Sequence, residues 1–131
     1  MLKKTIKYTD FNGNEREEEH YFNLTKAEMI EYDASFADGA IEHLTYLMKT
    51  KQNGPIIAAF KDLILRSYGE KTPNGRFIKS QELRDAFMAS EAYSELFMEI
   101  TSGEDAAAAF INGVIPKIEE PKDPHAVAPL G

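Results

Sequence analysis

Asn12-Gly13 follows an arm rich in Thr, Ile and Tyr and precedes a glutamate-rich one, and that dipeptide dictates how the chain begins. An Asn-Gly pair supplies residues that tolerate φ > 0, which a tight antiparallel turn demands. Residues 2–11 are therefore expected as one strand, and Glu15 to Leu24 as its return. Lys3, Lys4 and Lys7 on the first arm are expected to face Glu17, Glu18 and Glu19 on the second, since opposite charges across a ladder favour pairing. Two strands alone are marginally stable, so the hairpin must lean on helices or pair with another chain.

After Leu24 the apolar period changes from two to that of a helix. Thr25-Lys26-Ala27-Glu28 has the form of a capping box and opens a short helix to about residue 34. Ile41, Leu44, Leu47 and Met48 predict a second helix ending near Asn53-Gly54. Pro55 suits the first turn of a third helix, whose stripe is Ile56, Ile57, Phe60, Leu63, Ile64 and Tyr68. Gly69 to Lys79 breaks the helical period with Thr-Pro and Asn-Gly and reads as a long loop or a small hairpin. Ser80 and Ser90 are placed to cap two more helices, the second stopping at Gly103, and Ala107, Phe110, Ile111 and Val114 mark a last one before Pro116. The expected fold is mainly α with an N-terminal β-hairpin (α+β), with five or six short helices packed as a small bundle. Residues 1–116 would form a single domain, hairpin 2–24 and helical part 25–116, and the proline-bearing segment 117–131 a disordered tail.

Chemistry is sparse. With no cysteine, disulfides, thiolate nucleophiles and sulfur-based zinc sites are excluded. His20, His43 and His125 lack partners at ligand spacing, so they read as solvated surface groups and no metal is expected. Gly69-Glu70-Lys71-Thr72 departs from a phosphate loop, because Glu70 stands where such a loop needs lysine. No serine has a nucleophile-elbow context, so no enzyme activity and no cofactor are expected. A net charge of −7 opposes a phosphate backbone, and nucleic acid is not expected as a partner. Arg66, Lys71, Arg76, Lys79 and Arg84 form the one basic concentration, around a Phe77 expected to be exposed, and read as a solvated charged face. There is no signal-peptide core after Lys3-Lys4 and no stretch of about 20 apolar residues, so neither export nor a membrane is expected. Two short helices cannot bury every apolar residue from Phe87 to Met98, and Met88, Tyr93 and Met98 are expected to remain for a protein partner.

Five segments recur in a familiar order: Asp10-Phe11-Asn12-Gly13-Asn14, Tyr21-Phe22-Asn23-Leu24-Thr25-Lys26-Ala27-Glu28, Ser67-Tyr68-Gly69-Glu70-Lys71, Phe77-Ile78-Lys79 and Ala92-Tyr93-Ser94-Glu95-Leu96-Phe97. Over roughly residues 5–116 the chain resembles the tail assembly chaperones of long-tailed bacteriophages, also found in prophages of Gram-positive bacteria. The resemblance implies a protein of the bacterial host cytoplasm, absent from the finished virion, with no catalytic residues. Such a protein coats the phage tape measure protein, keeps it soluble and helps recruit tail tube subunits. It also associates with itself or with a longer form made by ribosomal frameshifting. The alternative is a small head-to-tail connector or other minor virion protein, which would remain in the particle. Deleting residues 118–131 is expected to leave the melting temperature nearly unchanged, a result that thermal unfolding monitored by circular dichroism checks directly.

Overall fold

The computed structural model describes residues 1–116, so the tail expected over 117–131 lies outside the described residues. Strands β1 (Leu2–Thr9) and β2 (Glu15–Phe22) are followed by helices α1 (Lys26–Ala34), α2 (Ala40–Thr50) and α3 (Asn53–Ser67). Two further strands, β3 (Tyr68–Lys71) and β4 (Phe77–Ile78), precede α4 (Gln81–Met88), α5 (Glu91–Thr101) and α6 (Glu104–Val114). The expected α+β class with an N-terminal hairpin is what forms. Its sheet is larger than the sequence suggested, because 68–78 is a hairpin and β3 pairs antiparallel with β2 through Tyr21↔Gly69 and Phe22↔Tyr68, giving the order β1-β2-β3-β4. The marginal two-stranded unit is thereby widened within the chain itself.

Both hairpins turn in the same way. In the first, the Asp10 N–H donates to Asn14 O (2.8 Å) and the Gly13 N–H to Asp10 O (2.9 Å). In the second, Thr72 donates to Arg76 O (2.8 Å) and Gly75 to Thr72 O (3.0 Å). Gly13 (φ +84°) and Gly75 (φ +85°) occupy the left-handed position that a type I turn plus bulge requires. Asp10 Oδ1 fastens the first loop by accepting from the Asn12 and Asn14 N–H groups, both at 2.9 Å, while Arg16 holds Oδ2 at 2.6 Å. The Arg16 guanidinium, helped by those N–H groups, keeps the Asp10 carboxyl below its ordinary range. The first strand is consequently shorter than expected, because the turn takes residues 10–14; the second starts at Glu15 as expected and ends at Phe22 rather than Leu24.

The register corrects the expected ladder of charges. Lys7 does face Glu17, but Lys3 lies opposite Tyr21 and Lys4 opposite His20. Lys3 reaches Glu19 diagonally at 3.4 Å, whereas Lys4 leaves the hairpin and pairs with Glu99 of α5. The cause is the strand period of two: Leu2, Lys4, Ile6 and Tyr8 all turn towards the helices while Lys3, Thr5, Lys7 and Thr9 face outward.

Helix boundaries follow local chemistry. Thr25 and Glu28 form the expected capping box, and the Ser80 and Ser90 hydroxyls accept from the Leu83 and Tyr93 N–H groups. Helix α2 ends at Lys51, which adopts a left-handed conformation (φ +53°), and α3 starts at Asn53, two residues before Pro55. Gly103 is the N-cap of α6 rather than the stop of α5, which ends at Thr101. Gly69 terminates no helix; it lies buried in β3, where a Cβ would come within 2.7 Å of the Phe77 ring, so Phe77 is half-buried rather than exposed.

One apolar cluster gathers Ile6, Phe22, Leu24, Tyr32, Leu44, Phe60, Leu63, Ile64, Tyr68, Phe87, Leu96, Ile100, Phe110 and Val114, drawing on β1, β2, β3 and every described helix. Helix α5 is the hub, touching β1, α3, α4 and α6, and its Ala92, Leu96 and Ile100 recur every fourth residue as a helix facing a core requires. The stripe of α3 is narrower than its sequence suggested: Phe60, Leu63 and Ile64 are buried but Ile57 is 49% exposed, and on α2 Ile41 is likewise exposed. Replacing Phe60 or Leu63 by alanine is expected to cost about 2–5 kcal/mol, measurable by urea denaturation, and a loss within experimental error would contradict their place in the core.

Candidate partner-binding surface

Two members of the basic cluster, Lys79 and Arg84, are structural. Lys79, with its side chain only 10% exposed, donates to Asn23 O (2.7 Å), Arg66 O (2.9 Å) and Glu28 Oε1 (2.7 Å), so one ammonium joins the exit of β2, the end of α3 and the start of α1. Burial lowers the Lys79 pKa, only partly offset by Glu28. Burial alone would raise Glu28, yet the Lys79 ammonium and the Thr25 donors outweigh it and hold the carboxyl below its ordinary value. Arg84 Nε donates to Leu65 O at 2.9 Å, and both cations thus serve carbonyls that the end of α3 leaves without helical partners. Arg66 pairs with Asp62 and lies 4.9 Å above the Tyr32 ring, and Lys71 lies 4.8 Å above Tyr21. The expected solvated basic face holds for Arg66, Lys71 and Arg76, which are exposed, and is corrected for Lys79 and Arg84, which are drawn in to serve carbonyls at the end of α3.

Two histidines also depart from expectation. His20 is half-buried, 5.1 Å from the Phe87 ring and 6.1 Å from Tyr68, and His43 stacks on Phe36 at 4.6 Å. Neither is a free surface group, because the inward face of β2 and the corner between α1 and α2 both offer aromatic neighbours; His125 lies outside the described residues. His20 Nε2 sits 3.4 Å from Glu18 Oε1 without hydrogen-bond geometry, and has no hydrogen-bond partner among the described residues. Burial pushes the His20 pKa down, and Glu18 only partly opposes it. Among the described residues no three His, Asp or Glu side chains converge as metal ligands, and no helix is long and apolar enough to cross a membrane.

The three residues singled out for a partner part company. Met98 is 58% exposed on α5. Tyr93 is half-buried in an aromatic row, 5.7 Å from both Phe87 and Phe97, and burial raises its pKa. Five residues apart on a helix, Tyr93 and Met98 point in directions about 140° apart. Met88 is half-buried and lines a cleft between α3 and α4 with Ala58 and Leu65. The remaining large exposed apolar groups are dispersed: Phe11 at the first turn, Ile30 on α1, Ile41 and Tyr46 on α2, Ile57 on α3 and Ile78 on β4. A larger groove of about 850 Å³ opens at the α1–α2 corner, lined by Phe36, His43 and Tyr46 with Asp38 and Glu42. Sequence reading missed that groove, although Glu42 and Tyr46, four residues apart on a helix, were the signal.

The fold is that of a small α+β protein whose polar network holds its own elements together and whose exposed apolar side chains stand singly on separate elements. The family model described as phage tail assembly chaperone matches residues 1–121, and the chain belongs to that family. No curated protein and no solved structure matches it. Membership points to a non-enzymatic role among protein partners in tail assembly.

His20 supplies a pH test. Its folded pKa lies below the unfolded value near 6.5, so the unfolded state takes up a proton first as pH falls, and stability declines below about pH 6.5. His20→Phe is expected to flatten that decline between pH 7 and pH 5 in urea titrations, and an unchanged slope would count against the burial of a neutral imidazole.

Proposed function

We propose that this chaperone binds the tape measure protein in the host cytoplasm, keeps its apolar surface in solution, helps recruit tail tube subunits and leaves before the virion is complete. The observation that carries this reading is the family match across residues 1–121. The form of the surface supports it. A long client exposing repeated apolar faces calls for several modest contacts rather than one deep pocket, and Ile30, Tyr46, Ile57 and Met98 present such contacts from four helices. Met98 is the strongest of the three residues read from sequence, Met88 offers a pliable thioether at the α3–α4 cleft, and Tyr93 contributes the edge of its aromatic row. The net charge of −7 keeps a complex bearing buried apolar client surface from associating further.

Co-expression with the tape measure protein encoded nearby in the same genome is the test. The expected outcome is a co-purifying pair, with the tape measure protein soluble only when this chain is present, and no copies of this chain by mass spectrometry in purified particles. A tape measure protein that stays insoluble and unbound, with any longer form present as well, would sink the chaperone mechanism. Recovery of this chain from virions would instead establish a structural component.

A further inference from the structure

The groove at the α1–α2 corner has a chemistry of its own. Its floor is aromatic: Phe36 and His43 are stacked at 4.6 Å with planes 22° apart, and Tyr46 is 58% exposed beside them. Its rim carries Asp38 and Glu42, and among the described residues no cation pairs with either carboxylate. The corner is preorganised. Asp33 Oδ1 accepts the Ala40 N–H at 2.7 Å and with Glu42, in the first turn, answers the positive end of α2, and Phe36 is braced edge-on by Tyr32 at 5.3 Å. Glu42, His43 and Tyr46 share one face of α2 through helical spacing.

An aromatic floor with an unpaired acidic rim suits a planar cation. A guanidinium stacks on ring faces while its N–H groups reach carboxylates, and the ring quadrupole and both negative charges act in the same sense. A neutral apolar anchor would leave Asp38 and Glu42 facing it without compensation. We propose that this groove seats one arginine side chain of the protein partner. The inference rests on the reading that the chain binds the tape measure protein and adds the chemistry of the group recognised: a guanidinium that stacks on the aromatic floor and meets the acidic rim.

Two probes test it. The first is a short amphipathic helical peptide with a single arginine on its apolar border, compared with a twin carrying glutamine there, while the backbone amides of the full chain are followed by NMR. The arginine peptide is expected to move the Phe36, Asp38, His43 and Tyr46 signals and to bind about tenfold more tightly than its twin, whereas equal binding, or shifts confined to another face, overturns the proposal. The second is capture of the tape measure protein by wild type and by the doubly substituted Glu42→Gln, Tyr46→Ala chain. Both positions are exposed, so an unchanged melting temperature serves as the control for folding. A loss of about tenfold in affinity supports the groove. Equal capture overturns the groove while leaving the chaperone reading intact. Should wild type itself capture nothing, the chaperone reading falls and the peptide comparison decides the groove by itself.

Discussion

Phe22 is the residue on which the remaining structure is assembled. It is fully buried at the end of β2, with the rings of Tyr68, Phe87 and Phe110 at 5.7, 5.8 and 5.5 Å, so one side chain brings together two strands, α4 and α6. Tilted and edge-on aromatic pairs of this kind are each worth about 0.5–1.5 kcal/mol beyond the area they bury. The next two residues fasten the same junction by backbone: the Asn23 N–H donates to Ser67 O (2.8 Å) and the Leu24 N–H to Val114 O (3.0 Å). The chain leaving the first hairpin is therefore tied to the ends of α3 and α6. The hairpin is also held along β1 by α5, and Phe11 at its turn is 78% exposed.

Lys79 performs the polar counterpart of that aromatic junction. A buried ammonium is tolerated only when its donors are satisfied, and here all three find acceptors on three separate elements. Together with Arg84 it turns the C-terminal end of α3 into a cation-binding corner, as the helix dipole favours. The second hairpin, which could have stood apart as a loop, is held to the sheet by the pairing of β2 with β3 and by this contact, and is closed within itself by the approach of the Phe77 ring to Gly69. Lys79 and Arg84 thus carry architecture, while Arg66, Lys71 and Arg76 remain at the surface.

Core and surface aromatics are arranged for different purposes. Tyr68, Phe87 and Phe22 close on one another in the interior, whereas Phe36, His43 and Tyr46 open towards solvent at the α1–α2 corner, away from the α5 hub. A surface built in this way can engage a partner without disturbing the contacts that hold the sheet to the helices, and its reach is extended by isolated apolar side chains on separate helices. That division is what the proposed chaperone role requires: a stable body and a set of shallow, chemically distinct contacts for a long client.

Much of the architecture was legible from local chemistry alone. The Asn-Gly turns, the Thr25–Glu28 capping box, the serine caps and the stripe of α3 each depend on residues within a few positions of one another, so their outcome is written in short stretches of chain. The resemblance carried by the ordered segments also agreed with the family. Contacts between distant segments escaped. Lys4 met Glu99 rather than the glutamates opposite, Lys79 was drawn inside, His20 lost its solvent and Ile57 kept its own, because each result depends on which elements pack together and not on spacing along the chain. The groove at Phe36, His43 and Tyr46 belongs to the same class: its residues were present in the sequence, but only the angle at which α2 meets α1 turned them into one surface. Local chemistry set the first hairpin, the helical segments, the threonine and serine caps and the acidic character of the chain; which charges and aromatic rings became scaffold and which stayed at the surface followed from packing, since burial is a property of the assembled fold.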